Sequence, residues 1–115
     1  MRACVTRSFR FEAAHQLPWH DGACRNLHGH SYRLEVTVEG PIGEQGMVID
    51  FADLKAAVNA KVIDRYDHRY LNDLLDNPTA ELLATEIWKA VEAADLAVCR
   101  IRLWETPDSF VELGR

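Results

Sequence analysis

The chain has 115 residues, a net charge of −5 and an apolar content of 48%. This length and composition suit one packed domain over residues 1–115 and leave no room for a second. Lys and Arg are scattered and form no basic stripe for nucleic-acid phosphates, and no apolar run approaches the roughly 18 residues of a membrane span. Neither nucleic acid nor a membrane is expected as a partner.

The start of the chain and its cysteines indicate the compartment. The initial sequence MRACVTRSFRF lacks the apolar segment of a signal peptide, so a cytoplasmic protein is expected. Cys4, Cys24 and Cys99 form no CxxC pair and no disulfide framework, which favours reduced thiols. Cys4 and Cys99 fall in strand-like segments, where we expect buried side chains, whereas Cys24 lies in a polar loop.

The first part of the chain predicts two strands around a long loop. Apolar and polar residues alternate over residues 3–14, which is typical of a half-buried strand. Residues 15–29 contain Gly and Pro among polar residues and are predicted to form a loop, and loops of this length are often functional. A second strand follows, with the apolar face Tyr32, Leu34, Val36 and Val38. His28 and His30 share the parity of that face.

Two helices are predicted next. Asp50 can cap a helix that ends near residue 64, because apolar residues then recur every three to four positions. Asn77 and Pro78 are predicted as the cap and the first-turn residue of a second helix. The core stripe of that helix is Leu83, Ile87, Val91 and Ala94.

The chain ends in two more strand-like segments, residues 98–105 and 110–113, joined by a turn at Pro107-Asp108. The order is therefore ββααββ. This order predicts an α+β fold in which two helices cover one face of a four-stranded antiparallel sheet.

Three histidines are predicted to meet at one end of the sheet. His15 ends the first strand and His28 and His30 open the second, so pairing of these strands would bring the imidazoles together. Three neutral histidines suit zinc with a fourth position open for water or substrate, whereas a structural site would be closed by a fourth protein ligand. The competing interpretation is three unrelated polar residues near a loop.

Cys24 lies four residues before His28. A metal and the cationic Arg25 nearby would favour its thiolate, which is a competent base or nucleophile near neutral pH. Alternatively, Cys24 is a fourth zinc ligand that closes the site. The residue pattern leaves both roles open.

Two acidic positions are further candidates. Asp67 precedes His68, and a carboxylate near an imidazole makes a usable proton shuttle, although such a dipeptide is common by chance. Glu105 continues the apolar parity of the late strand, where a carboxylate is costly unless it is paired or binds a ligand with a flat edge of donors. It could instead reach solvent at the strand end.

Six segments carry a family resemblance, and in order they are FEAAHQLP (11–18), CRNLHGHSYRLEV (24–36), VIDFADLK (48–55), DHRYLND (67–73), NPTAE (77–81) and WET (104–106). Together they span nearly the whole chain. The chain resembles the 6-pyruvoyltetrahydropterin synthase superfamily, and within it the bacterial 6-carboxy-5,6,7,8-tetrahydropterin synthases of queuosine biosynthesis. The resemblance implies the tunnelling fold, or T-fold, and a homohexamer of two stacked trimers with active sites shared between subunits.

The resemblance also implies a catalytic zinc ion, Zn²⁺, held by His15, His28 and His30. Cys24 would act on the substrate and would not be a ligand. Asp67 and His68 would form the second proton-transfer element.

For the substrate, the resemblance implies that Glu105 anchors the pterin ring and that Thr79 contributes to the same pocket. The substrate would be 7,8-dihydroneopterin triphosphate, and a zinc-dependent lyase would release triphosphate and acetaldehyde to leave 6-carboxy-5,6,7,8-tetrahydropterin. The three-residue gap between Cys24 and His28 resembles these carboxy-type enzymes. The alternatives are a 6-pyruvoyltetrahydropterin synthase, which keeps the three-carbon side chain, and a non-catalytic zinc-stabilised binding module.

Overall fold

Five strands form one sheet, in the order β3-β1-β2-β4-β5, in the computed structural model, which describes residues 1–114. The strands are β1 (Arg2–His15), β2 (His28–Pro41), β3 (Arg69–Tyr70), β4 (Val98–Thr106) and β5 (Ser109–Gly114). β1 and β2 have 14 residues each and pair antiparallel along their whole length. Arg115, the last residue of the predicted domain, lies outside the described residues.

The prediction of four antiparallel strands has to be corrected, because the structure has a fifth strand, β3. This strand pairs with β1 in parallel, with Arg69 opposite Ala13 and Tyr70 opposite Ala14. Two residues are too few to give a recognisable alternation of apolar and polar side chains, so the sequence pattern could not reveal them. The α+β class is confirmed, with one short parallel strand at the edge of the sheet.

The strands β1 and β2 also reach further than predicted. The predicted loop over residues 15–29 is shortened, because His15 ends β1 and both His28 and Gly29 belong to β2. A single 3₁₀ turn, Ala23–Arg25, interrupts the remaining loop. His15 and His28, which flank this loop, are therefore held by the backbone hydrogen bonds of the sheet.

The first helical segment begins as α1 (Phe51–Val58), continues as a π-helical stretch (Asn59–Ile63) and ends as α2 (Asp64–Tyr66). The Asp50 side chain accepts a hydrogen bond of 2.7 Å from the backbone N–H of Ala52, as expected of the predicted cap. A 3₁₀ turn, Leu71–Asp73, follows β3.

The second long helix is α3 (Ala80–Ala93), and its cap differs from the prediction. Thr79, and not Asn77, is the N-cap, because its hydroxyl accepts a hydrogen bond of 3.2 Å from the N–H of Leu82. Pro78 therefore precedes the helix. Asn77 is an equally good capping residue type, so only the backbone conformation decides between them.

One face of the sheet carries the apolar core, and both helical segments pack on it. Phe11 and Tyr32 stack there with ring centroids 4.9 Å apart. The core side chains with no exposed surface are Tyr32, Leu34, Val36, Leu54, Val58, Val62, Leu71, Leu83, Ala84, Ile87, Ile101 and Leu103. Burying a large apolar side chain contributes about 1.5–3 kcal/mol, so this layer fixes the sheet against the helices. Within residues 1–114, no helix has the length and apolarity needed to cross a bilayer.

A bulge in β4 changes the predicted position of a cysteine. Thr37 pairs with Arg100 and Val38 pairs with Val98, which leaves Cys99 as an extra residue. Val98 is buried in its place, and Cys99 is only half-buried. Cys4 is exposed on the face of β1 opposite the core, so the expectation that both cysteines are buried is wrong.

Replacing Thr79 by Ala is predicted to lower the free energy of unfolding by about 1 kcal/mol, because the first turn of α3 loses its side-chain acceptor. Thr79→Ser keeps the hydroxyl and serves as the control. Urea titration of the ligand-free variants measures the effect. Equal stability of the two variants would remove the capping role.

Candidate metal centre and active site

The register of β1 and β2 brings three histidine rings together at one end of the sheet. His15 lies directly opposite His28, and Ala13 lies opposite His30. The centroids of the three rings are 4.6, 4.8 and 5.1 Å apart. Their ligand nitrogens form a group in which all distances are within 4.8 Å. The predicted convergence of the imidazoles is present in the structure.

Backbone carbonyls fix the orientation of two of these rings. His15 Nδ1 donates to the carbonyl of Pro78 at 2.8 Å, and His28 Nδ1 donates to the carbonyl of Asn26 at 2.7 Å. A carbonyl can only accept, so both protons sit on Nδ1 and both Nε2 atoms present lone pairs. These two Nε2 atoms are only 3.0 Å apart. Two facing lone pairs repel each other unless a cation or a proton lies between them.

His30 supplies a third nitrogen, which has no hydrogen-bond partner among residues 1–114. Its Nε2 atom is buried and makes no hydrogen bond among the described residues. Burial lowers the pKa of His30 below its ordinary value, and His15 and His28 lower it further, although Glu105 opposes the shift. The ring is therefore neutral near pH 7, which is the form that binds a metal ion. The donor set of three imidazoles fits zinc.

Glu105 points toward the same histidines. Its Oε1 atom lies 3.4 Å from His15 Nε2 and 3.7 Å from His30 Nε2. Trp104 pairs with Phe110 and Thr106 with Ser109, so Glu105 is the extra residue of a second irregularity in β4. The half-buried carboxylate can accept hydrogen bonds from a ligand beside the histidines, or it can approach a cation that they hold.

The hydroxyl of Tyr32 belongs to a ring that packs beside the rings of His15 and His30. It is buried without a hydrogen-bond partner among the described residues, and its ring centroid lies 5.7 Å from that of His30. Burial, with a smaller contribution from Glu105, raises the pKa of Tyr32 well above its ordinary value. Tyr32 therefore stays a neutral phenol.

Cys24 lies apart from the histidine group. It belongs to the 3₁₀ turn of the loop between β1 and β2, and its carbonyl accepts a hydrogen bond from the N–H of Leu17 at 2.8 Å. Its side chain is half-buried, and its sulfur is not a member of the group of ligand atoms. Within the described chain, this sulfur does not close the site.

Asp67 and His68 contact each other directly. Asp67 Oδ1 is 3.0 Å from His68 Nδ1 and also accepts a hydrogen bond of 2.9 Å from the N–H of Glu12. That backbone hydrogen bond is the main reason why the pKa of Asp67 is lowered, and the contact with His68 adds to it. The carboxylate therefore stays ionised and can hold the ring of His68 in one tautomer.

His68 has an unusual backbone conformation. Its φ is 59°, in the left-handed region that only a few per cent of residues other than Gly adopt, and its N–H donates to the carbonyl of Glu12 at 2.6 Å. The side chain is 79% exposed. Strained backbone of this kind is often found at functional sites.

Two open clefts meet at His30. The first has a volume of about 450 Å³ and runs past Glu12 to His68. The second, of about 440 Å³, is lined by Glu105, Trp104 and two arginines, Arg10 and Arg33. Gly29, His30 and Ser31 belong to the walls of both. A ligand in either cleft would therefore lie beside the histidines.

The two arginines were not identified from the sequence. Arg10 lies opposite Arg33 in the register of β1 and β2, so two positive charges are neighbours on one face. Arg33 contacts Glu35 at 2.9 Å and lies over the ring of Trp104 at 4.6 Å. Only the strand register, which the sequence does not state, reveals that they are adjacent.

Thr79 is the last of the predicted site residues. It follows Pro78, whose carbonyl orients His15, but its own hydroxyl is used by the cap of α3. Thr79 is therefore next to the residue that orients His15, and its side chain has a structural partner in the helix.

Comparisons with known proteins identify the family and relatives of the chain. The family model described as 6-pyruvoyl tetrahydropterin synthase matches residues 4–115. The chain is 36% identical to the 6-carboxy-5,6,7,8-tetrahydropterin synthase of Haemophilus influenzae, over 94% of this chain and 96% of that protein. It is 39% identical to the dihydroneopterin monophosphate aldolase of Pyrococcus furiosus, over 98% of both chains.

The fold has a solved counterpart as well. The structure of 6-pyruvoyl tetrahydropterin synthase from Caenorhabditis elegans superimposes with a TM-score of 0.88 at 26% identity, covering 100% of this chain and 96% of that one. The predicted T-fold is thereby confirmed. From the family match and these relatives together, we conclude that the chain belongs to the 6-pyruvoyl tetrahydropterin synthase family.

Proposed function

We propose that the protein is a zinc-dependent lyase that converts 7,8-dihydroneopterin triphosphate into 6-carboxy-5,6,7,8-tetrahydropterin, with release of acetaldehyde and triphosphate. The observation that carries the proposal is the pair of Nε2 atoms of His15 and His28, 3.0 Å apart, whose opposite ring nitrogens both donate to carbonyls. Relatives named 6-carboxy-5,6,7,8-tetrahydropterin synthase support the choice of reaction. The product would enter queuosine biosynthesis in the cytoplasm.

Zinc, when bound by His15, His28 and His30, supplies Lewis-acid activation of the substrate hydroxyls. The protein itself orients the histidine ligands and keeps their rings uncharged. The carbonyls of Pro78 and Asn26 hold two rings in the ligand tautomer, and burial keeps His30 uncharged.

Proton transfers on the substrate side chain need two further groups. We assign Cys24, as its thiolate, to removal of a side-chain proton. His68, held by the Asp67 carboxylate at 3.0 Å, would relay the second proton from the far end of the first cleft. After triphosphate leaves, a water molecule adds to the first side-chain carbon, the bond between the first two side-chain carbons breaks, and acetaldehyde departs while the first carbon stays on the ring as the carboxylate.

Glu105 is proposed to position the pterin. A carboxylate can accept two parallel hydrogen bonds from the donor edge of the ring, which would hold the side chain of the substrate beside His30. Arg10 and Arg33 line the same cleft and offer positive charge to the triphosphate. Thr79 is assigned to the same pocket on family resemblance.

The active protein is proposed to be a homohexamer, a dimer of trimers with shared active sites. The open clefts support a site completed by a neighbouring subunit, and so does the fact that the Cys24 sulfur is not one of the grouped ligand atoms. In that arrangement, a thiol from one chain would face the histidines of another.

One alternative activity rests on a specific observation. The Pyrococcus furiosus relative, which matches over 98% of both chains, is a dihydroneopterin monophosphate aldolase. An aldolase acting on the monophosphate, like a 6-pyruvoyltetrahydropterin synthase acting on the triphosphate, would use the same histidine group. A non-catalytic zinc module would need a fourth protein ligand.

The reaction is tested by incubating the zinc-loaded protein separately with dihydroneopterin triphosphate and with the monophosphate. We expect acetaldehyde and a 6-carboxypterin product from the triphosphate, identified by mass spectrometry. A pyruvoyl product without acetaldehyde, or turnover of the monophosphate alone, would replace the proposed reaction by one of the alternatives. No turnover of either would favour the binding module.

Cys24→Ala is predicted to keep the zinc of the histidine group and to lower kcat by at least about 10²-fold, because a general base is lost while the ligands remain. Metal content and steady-state rates measure the two effects. His28→Ala is the matched comparison and should lose that zinc ion. Loss of zinc in the Cys24 variant would instead make the thiol a ligand.

Glu105→Gln is predicted to weaken pterin binding by about tenfold or more, because an acceptor oxygen becomes an amide donor that faces a donor edge. Fluorescence titration with a pterin gives the affinity. Zinc content should not change, and a parallel loss of zinc would assign Glu105 to the metal and not to the ring.

A further inference from the structure

A second group of metal-binding side chains lies far from the histidines. Cys4, Glu39 and Cys99 come from the neighbouring strands β1, β2 and β4, and their ligand atoms are all within 4.8 Å of one another. Cys4 and His15 are eleven positions apart on β1, which corresponds to roughly 36 Å along an extended strand. This group is therefore separate from the candidate active site.

Strand pairing and the bulge in β4 together create the group. Cys4 lies directly opposite Glu39 in the register of β1 and β2. On the other side of β2, the extra residue Cys99 is turned out of the core, while Val98 takes the buried position. Without the bulge, Cys99 would share the buried parity of Ile101. Bulges often serve to re-aim a side chain in this way.

The strand order disfavours a disulfide between the two thiols inside one chain. β2 lies between their strands, so their Cα atoms are separated by two strand spacings, or about 9.5 Å. A disulfide requires Cα atoms within about 7 Å. A metal ion between the two sulfurs can span a larger Cα separation, because each sulfur then needs to reach only the ion, through a bond of about 2.3 Å.

We propose that Cys4, Glu39 and Cys99 bind a thiophilic divalent cation, Zn²⁺, with a water molecule as the fourth ligand. Two thiolates and one carboxylate are a donor set that zinc accepts in tetrahedral geometry. Arg2 is the cation now nearest to Glu39, and its Nε atom is 3.5 Å from Oε1, a long and exposed contact. A contact this long leaves the Glu39 carboxylate able to bind an ion.

The test counts zinc in the purified protein after equilibration with micromolar buffered zinc. The wild type is expected to hold about two ions per chain and Cys4→Ser with Cys99→Ser about one, since only the histidine group remains. Cys24→Ser removes a thiol elsewhere and should keep about two ions. A double variant that holds one ion fewer than the wild type supports the proposal whatever the occupancy of the histidine group, and equal zinc contents of the two proteins overturn it.

Cadmium distinguishes this group from the active site without any activity assay. Cd²⁺ bound by thiolates gives an ultraviolet charge-transfer band, which histidine ligands do not give. The band should survive His28→Ala and disappear in Cys4→Ser, a variant that we expect to fold because Cys4 is exposed. A band that survives Cys4→Ser but is lost in Cys24→Ser would place the thiolate ligand at the histidines and overturn the proposal.

Discussion

The uninterrupted pairing of β1 with β2 is the constraint on which the rest of the molecule depends. It runs from Arg2 opposite Pro41 to His15 opposite His28. Because side chains alternate between the faces of a strand, a slip by one residue would move the apolar set of one strand to the other face. The core side chains Phe11 and Tyr32 and the candidate ligands share that face, so the packing that fixes the register also fixes the ligand geometry.

In the histidine group, the sheet and its adjoining loops orient the rings of a candidate metal site. Two rings are oriented by carbonyls of the loops on either side, one before β2 and one before α3. The third ring is kept neutral mainly by burial. Repulsion between the facing lone pairs of His15 and His28 destabilises the folded chain, and binding of a cation would relieve this repulsion.

The fold class and the family could be predicted from the sequence, because both depend on local patterns. Alternation in residues 3–14 and 32–38, the cap at Asp50 and the six family segments led to the correct fold class and family. What failed depends on pairing across the sheet or on the backbone conformation at a helix start. A two-residue strand, a one-residue bulge and the choice of Thr79 over Asn77 as the cap leave no periodic signal. The assigned chemical roles of the site residues stay predictions.

The left-handed backbone at His68 sets two evolutionary pressures against each other. A residue with a Cβ atom at φ near 59° costs roughly 1–2 kcal/mol relative to a relaxed conformation. The backbone of Glu12 and the carboxylate of Asp67 hold it there. Selection for folding stability alone would favour glycine at this position. A histidine that persists among sequence variants would therefore indicate selection for its chemical function at the expense of stability.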